Sequence, residues 1–403
     1  MSYIFWIQVI LLFYFYYVAL YTFLFSIAGR LYKPKKVTGE EVDFKTFAVF
    51  IPGYKEDEVI IEVASHALKQ SYPKEHYTVF VIADSFKKNT IEGLKKLDIE
   101  IINVEFEKST KVKSLNYALD KIDADLFDYA VILDADNLMQ ADFLQKLNQL
   151  HQTYHYKAIQ GCRAAKNLTN TMSFLDGLSE AINNHIYGKG SSYLRLSSTL
   201  KGSGMSFKYG ILKSLLSEMD SIGGFDRELE LKLINSGIKV HYASDVIVLD
   251  EKVERTQVFE NQRKRWISSQ FFYLKKYFGE GIKSFFKGKL TFFNSSILRN
   301  IQLPRLLNLG LITIFTIVFI LPLPINSLIL KINWLVAFSV MFIGMILAIP
   351  KEYFNKNLIK ALLSLPLIFI KMLRLLFRLK GANEKFIHTP HSSSTNTEKD
   401  KKS

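Results

Sequence analysis

Hydrophobic and polar positions divide the chain into three regimes. Residues 3–28 are almost unbroken apolar and aromatic, interrupted by Gln8 and a few hydroxyl groups. That length predicts a helix able to cross a bilayer, and the absence of a basic start argues against a signal peptide. No Lys or Arg precedes the segment, whereas Arg30, Lys33, Lys35 and Lys36 follow it. The positive-inside bias then puts the amino terminus outside and the following domain in the cytosol. Between about Phe44 and Asp250, short β-rich runs at 47–51, 78–83, 100–104 and 129–133 alternate with helical patterns at 57–70, 90–97 and 111–122. Such alternation predicts an α/β fold with a mostly parallel sheet covered on both faces.

After Leu274 the pattern changes again. Residues 277–303 mix Phe, Leu and Ile with Lys and Arg at helical spacing, as in helices lying in a membrane interface. Two long apolar stretches follow, 306–330 and 334–349, each a candidate span. Residues 358–379 are apolar but contain Lys360, Lys371, Arg374 and Arg378, which suits an interfacial or tilted helix. The expected organisation is a membrane helix at 1–29, a cytosolic domain at 30–274, interfacial helices at 275–304, and two membrane helices at 305–350. An interfacial or third membrane helix at 351–380 and a basic, polar tail at 381–403 complete it.

Composition sharpens this outline. Of the 403 residues, 49% are hydrophobic and 14% aromatic, more apolar surface than a soluble core needs. The net charge of +14 suits nucleic acid, anionic lipid or a phosphorylated substrate. The sequence shows no recognition helix, and its basic residues cluster beside apolar segments. A lipid bilayer and a phosphorylated substrate are therefore the expected partners, and nucleic acid is not. A single cysteine, Cys162, excludes an intrachain disulfide, fits a reducing compartment, and reads as a small buried hydrophobe.

Chemistry-bearing residues gather where the predicted strands end, and in α/β sheets ligands bind beyond the carboxyl ends of strands. The first run leads into Pro52-Gly53-Tyr54-Lys55-Glu56, the second into Asp84-Ser85, and the fourth, YAVILDADN, into Asp134 and Asp136. If the extended geometry continues, the two aspartates share a face and offer hard oxygen donors to a divalent cation that also carries phosphates. The competing reading is a plain turn at Asp136-Asn137.

These features recur in a fixed order with Lys111, Leu115-Asn116, Gly202-Ser203-Gly204, Asp226 and Gln262-Arg263-Lys264-Arg265-Trp266. In that order, over about residues 44–270, the chain resembles the membrane-bound family 2 glycosyltransferases, which include bacterial cellulose, hyaluronan and poly-N-acetylglucosamine synthases. Gln262, Arg265 and Trp266 match the family's Gln-x-x-Arg-Trp signature. The resemblance implies a GT-A-type nucleotide-sugar domain flanked by transmembrane and interfacial helices. It further implies Mg²⁺ or Mn²⁺ on Asp134 and Asp136, bridging the phosphates of a UDP-sugar.

The implied roles extend along the motifs. Tyr54 presents a ring on which a base stacks or which packs on the next helix, Glu56 closes that motif, and Lys55 stands where the family has Asn. Asp84 accepts from a uracil N–H, or caps a local turn with Ser85. Lys111 serves the diphosphate, with Lys113 as neighbouring candidate. Asp226 is the expected base for the acceptor hydroxyl and Glu228 the alternative, although the Thr and Glu that precede the family's Asp are absent; a helix cap at Asp226 is the structural reading. Gly202 and Ser203 form a loop that lets backbone approach the acceptor. Arg263 and Arg265 offer forked donors to phosphate, Gln262 binds sugar hydroxyls and Trp266 supplies an apolar face, against a generic basic amphipathic helix. Phe386-Ile387-His388-Thr389 resembles the core of a gating loop, with His388 and His391 departing from it.

The expected function is therefore inverting transfer of a sugar from a UDP-sugar to a growing polysaccharide at the cytosolic face of a bacterial inner membrane, by a multi-pass protein. The alternatives are one-sugar transfer to a polyprenyl phosphate or glycolipid, and a nucleotide-sugar-binding membrane protein without catalysis.

Overall fold

The computed structural model describes residues 3–35, 43–221, 223–321 and 327–379; the gating-loop resemblance at Phe386–Thr389 lies outside them. The chain forms two compact units. One comprises Pro34–Asn167 and Ser197–Lys252; the other comprises Met1–Lys33, Leu168–Leu196 and Val253–Lys380.

The first unit is built on an eight-stranded sheet. Its strands are β1 (Phe47–Tyr54), β2 (Tyr77–Asp84), β3 (Glu100–Val104), β4 (Tyr129–Ile132), β5 (Leu138–Met139), β6 (Ala158–Ala165), β7 (Met205–Lys208) and β8 (His241–Asp250). They lie in the order β3-β2-β1-β4-β7-β6-β8-β5. Four of the seven pairings are parallel: β1 with β2 and β4, β2 with β3, and β6 with β8. The others, β4–β7, β5–β8 and β6–β7, are antiparallel. β1 is central, and Phe47 to Ile51 are fully buried, as an apolar run covered on both faces requires. One face packs Val49, Ile51, Val131 and Leu144; the other packs Phe50, Ile82, Leu115 and Phe207.

The helices predicted between the strands form at Ile60–Ala67, Lys88–Leu94 and Lys111–Lys121. Thr110 caps the last of these by accepting from the Lys113 N–H at 3.2 Å. Asn116 ties it to the helix Tyr209–Ser217 by donating from Nδ2 to the Leu216 carbonyl at 2.9 Å. Cys162, expected as a small buried hydrophobe, is half-buried on β6, beside a register shift at Gly161/Cys162.

In the second unit, Tyr3–Leu31 and Leu328–Ala348 are long and apolar enough to cross a membrane, and Arg305–Ile320 is a shorter apolar helix. The break between the last two falls earlier than the hydropathy pattern suggested. Ser327 caps the latter helix through the Leu330 N–H at 3.3 Å, so Lys331 and Asn333 lie inside it. A single helix, Thr256–Phe286, crosses the expected boundary at 274, and the amphipathic helix Lys356–Leu376 occupies the ambiguous segment. Tyr14 and Tyr21 of the first helix donate to Asn308 and Asn294, each at 3.0 Å. In an apolar setting such side-chain bonds pair groups that lipid cannot satisfy.

Candidate active site

The ends of β1 and β2 form one rim of the site. Tyr54 and Asp84 are register partners, and each is followed by a residue with positive φ, Lys55 at 56° and Ser85 at 58°. A non-glycine residue rarely adopts this conformation, and here it follows each of two paired strand ends. The Lys55 N–H donates to the Asp84 carbonyl at 3.1 Å, and its ammonium lies 5.1 Å from the Tyr54 ring centroid. Gly53 is required by close approach, since a Cβ there would meet the Phe86 ring at 2.7 Å. Glu56 anchors the next helix through its carbonyl, which accepts from the Ile60 N–H at 3.1 Å.

Asp84 is 1% exposed. Ser85 Oγ donates to its Oδ1 at 2.9 Å, while its Oδ2 is buried without a partner among the described residues. A carboxylate oxygen in that state is an acceptor waiting for a donor.

β4 ends at Ile132. The Leu133 N–H still donates to Phe50 at 2.9 Å, but the Asn137 N–H folds back to the Asp134 carbonyl at 3.1 Å. The extended geometry expected to carry Asp134 and Asp136 to one face therefore does not continue; a turn presents them instead. Asp134 is half-buried, and its N–H donates to Ser203 Oγ at 2.9 Å. Ser203 reaches it because β7 starts beside the end of β4, with Met205 paired to Ile132. The flanking glycines have positive φ, 82° at Gly202 and 63° at Gly204, and a Cβ on Gly204 would stand 2.8 Å from Val248 Cγ2.

Lys111, first residue of its helix, is the hub of the constellation. Its ammonium pairs with Asp134 Oδ1, donates to the Gly202 carbonyl at 2.8 Å, and lies 5.1 Å from the Phe225 ring centroid. Its partner is thus the carboxylate expected to hold the metal. Lys113 instead turns to the Lys108 carbonyl at 3.3 Å.

Asp226 follows Phe225 in the first turn of the helix Phe225–Asn235, whose cap position is Gly224. Burial raises its carboxyl above the usual carboxylate range, while Arg227 and Lys111 draw it back. Glu228, two residues on in the same turn, is 5% exposed. Glu230 is committed to structure, accepting the Leu200 N–H at 3.2 Å.

Asp136 is 7% exposed and opens a network that the sequence did not reveal. Asn137 Nδ2 donates to Asp136 Oδ1 at 3.0 Å and to Asp250 Oδ1 at 2.9 Å. Asp250 ends β8 and pairs with Arg163 at 2.8 Å and with Lys252. Burial alone would raise its carboxyl, but Arg163 and then Lys252 outweigh that and hold it well below the usual range. Asn137 was visible inside YAVILDADN; nothing in the sequence links it to residues 163 and 250.

Asp134 and Asp136 fit a divalent ion of the Mg²⁺ or Mn²⁺ kind. Among the described residues no group of three or more His, Cys, Asp or Glu side chains forms a metal cage. Such ions bind through one or two carboxylates and take their remaining ligands from water and substrate phosphates.

The remaining motif residues lie in the other unit, on Thr256–Phe286. Arg263, expected to offer a fork to phosphate, turns inward: it pairs with Asp176 at 2.6 Å and lies against Phe259 and Trp266, 4.7 and 4.4 Å from their centroids. Desolvation lowers its guanidinium pKa, and Asp176 opposes this. A buried cation needs such an anion, which accounts for the change of role. Trp266 is 40% exposed, Arg265 is half-buried, and Gln262 Oε1 is buried without a partner among the described residues.

Among solved structures, the mannosyltransferase PcManGT from Pyrobaculum calidifontis, in complex with GDP-Man and Mn²⁺, shares the fold. It has a TM-score of 0.57 and 18% identity, with 92% of this chain and 98% of that chain covered. S. aureus TarS 1-349 gives a TM-score of 0.43 at 16% identity, covering 84% of this chain and 90% of that one. Its complex with UDP-GlcNAc gives 0.39 at 13%, with the same coverage. No match was found among curated proteins. Residues 45–269, more than half of the chain, match the family described as Glycosyltransferase like family 2, and to that family the chain belongs.

Proposed function

We propose that this protein is an inverting, metal-dependent glycosyltransferase that moves a sugar from a UDP-sugar to a growing polysaccharide at the cytosolic face of a bacterial membrane. The observation that carries the reading is the set of contacts made by one ammonium: Lys111 pairs with Asp134, binds the Gly202 carbonyl and lies 5.1 Å from the ring of Phe225, the residue before Asp226. The like-folded mannosyltransferase, with its GDP-Man and Mn²⁺, supports a nucleotide diphosphate-sugar and a divalent ion.

The base of the nucleotide stacks on Tyr54, and its N–H donates to Asp84 Oδ2. When bound, the ion supplies charge neutralisation for the departing nucleoside diphosphate. Asp134 and Asp136 would hold the ion, and Lys111 would bind the diphosphate. Asp226 accepts the acceptor hydroxyl's proton as that oxygen bonds to the anomeric carbon and the sugar–phosphate bond breaks, with inversion. A carboxyl raised by burial is the stronger base for that step. Membrane residence is supported by exposed apolar side chains on the two long helices, among them Phe13 at 80%, Leu328 at 73% and Ile329 at 72%.

The test is product length with purified full chain, labelled UDP-sugars and Mg²⁺ or Mn²⁺. Chelator should abolish turnover, and Asp226→Asn should lower it about 10²–10⁴-fold. A product consisting only of singly glycosylated lipid replaces the polymer reading with transfer to a polyprenyl phosphate or glycolipid. Unchanged turnover in Asp226→Asn removes the base.

A further inference from the structure

The turn that presents Asp134 and Asp136 is held by a side-chain circuit. Asn137, 1% exposed, places one amide nitrogen between two carboxylates, Asp136 Oδ1 at 3.0 Å and Asp250 Oδ1 at 2.9 Å. An ionised carboxylate only accepts, so the shared atom is the NH₂ group and both its hydrogens are used. That fixes which atom is nitrogen and which is oxygen. The remaining atom, Asn137 Oδ1, is buried without a hydrogen-bond partner among the described residues. A buried amide oxygen beside a metal-binding carboxylate is suited to a ligand that brings its own protons.

Asp250 is itself immobilised. Arg163 and Lys252 pair with it, and the Lys166 N–H donates to its carbonyl at 2.8 Å. Arg163 also donates to the Lys201 carbonyl at 2.6 Å. The next carbonyl along, that of Gly202, accepts from Lys111, the partner of Asp134. The circuit thus leaves one aspartate of the turn through Asn137, passes Asp250, Arg163 and the glycine loop, and returns to the other aspartate through Lys111. Groups arranged in this way behind metal ligands fix their orientation and tune their affinity.

Resting on the reading of Asp134 and Asp136 as metal ligands, we propose that Asn137 and Asp250 are positioning residues for the divalent ion. Asn137 holds the Asp136 carboxylate in one orientation, and its Oδ1 accepts a hydrogen bond from a water on the ion. Asp250, clamped by Arg163 and Lys252, keeps the Asn137 amide in place.

The test is Mn²⁺ binding, with and without UDP, by the electron paramagnetic resonance signal of free Mn²⁺, on the full chain in detergent. Asn137→Ala and Asp250→Asn should each weaken Mn²⁺ binding about 10–100-fold. The double variant should bind about as weakly as either single one, because the two act as a unit. If Asn137→Ala does not yield folded protein, Asn137→Ser, too short to span both carboxylates, should show the same loss. Folded Asn137 variants with wild-type Mn²⁺ affinity overturn the proposal and leave the metal reading standing. Strictly additive losses in the double variant overturn the role of Asp250. Wild-type chain that binds no Mn²⁺ in the presence of UDP removes the metal reading, and this proposal with it.

Discussion

His151 gives the sharpest test of how the sheet behind the site is held. It is 1% exposed, its Nδ1 lies 2.6 Å from the Tyr156 carbonyl, and its Nε2 lies 2.8 Å from Ser206 Oγ. A carbonyl only accepts, so Nδ1 carries the proton and Nε2 accepts from the serine. The Tyr129 ring stacks on the imidazole at 3.8 Å. Burial lowers the pKa from 6.5 to about 4; the bond to Tyr156 opposes this and His241 adds to it. The unfolded chain therefore takes up this proton first. The His151 contribution is fully present above about pH 6.5 and is lost as pH falls from there towards 4. A shift of about 2.5 units corresponds to about 3 kcal/mol. For a unit of this size that is a melting-temperature loss of roughly 6–12 °C. Comparing melting temperatures of wild type and His151→Gln in detergent from pH 7.5 to 4 isolates the effect, since His241, also lowered to about 4, is common to both. Wild type should lose its advantage over the variant across that interval. Parallel curves would refute the reasoning. Ser206 pairs with Val131 of β4, so the same protonation should disturb the strand that carries Asp134.

Three further outcomes follow from the site. Lys111→Met frees Asp134 from its ammonium, so Mn²⁺ affinity without donor should rise several-fold while the KM for the UDP-sugar increases; equal or weaker Mn²⁺ binding by calorimetry contradicts the pairing. Gly204→Ala forces a side chain to φ 63° and against Val248, so it should destabilise the protein by at least about 1–2 kcal/mol, read as a lower melting temperature. Arg263→Met leaves Asp176 as an unpaired buried charge and should cost about 3–5 kcal/mol of stability, whereas the KM for the donor in surviving folded protein should stay unchanged. A raised KM at unaltered stability would return Arg263 to the phosphate.

Much of the sheet was legible because its information is local. The apolar runs at 47–51, 78–83 and 100–104 carry their own period and length, and strands form there. Strand ends rich in Asp, Tyr and Gly pointed to a site at those ends for the same reason. β7 pairs antiparallel between β4 and β6, and the two-residue β5 pairs with β8; neither arrangement has a local signal, since each depends on partners far along the chain. Ser203 bonding to Asp134, Lys111 turning to the same residue, and Arg263 closing on Asp176 are likewise decisions of tertiary neighbours.

The sequence by itself determined the apolar segments, the alternating strands and helices, and the order of Tyr54, Asp84, Lys111, Asp134, Asp136, Asp226 and the QRKRW stretch, because residue type and spacing act over a few residues. Only the tertiary structure decided that Asp134 and Asp136 sit on a turn, that Lys111 neutralises the first, and that Asn137 and Asp250 stand behind the second. Hydrogen bonds and ion pairs reach about 3 Å in space whatever the distance along the chain, and burial makes each unpaired group costly enough to choose its partner.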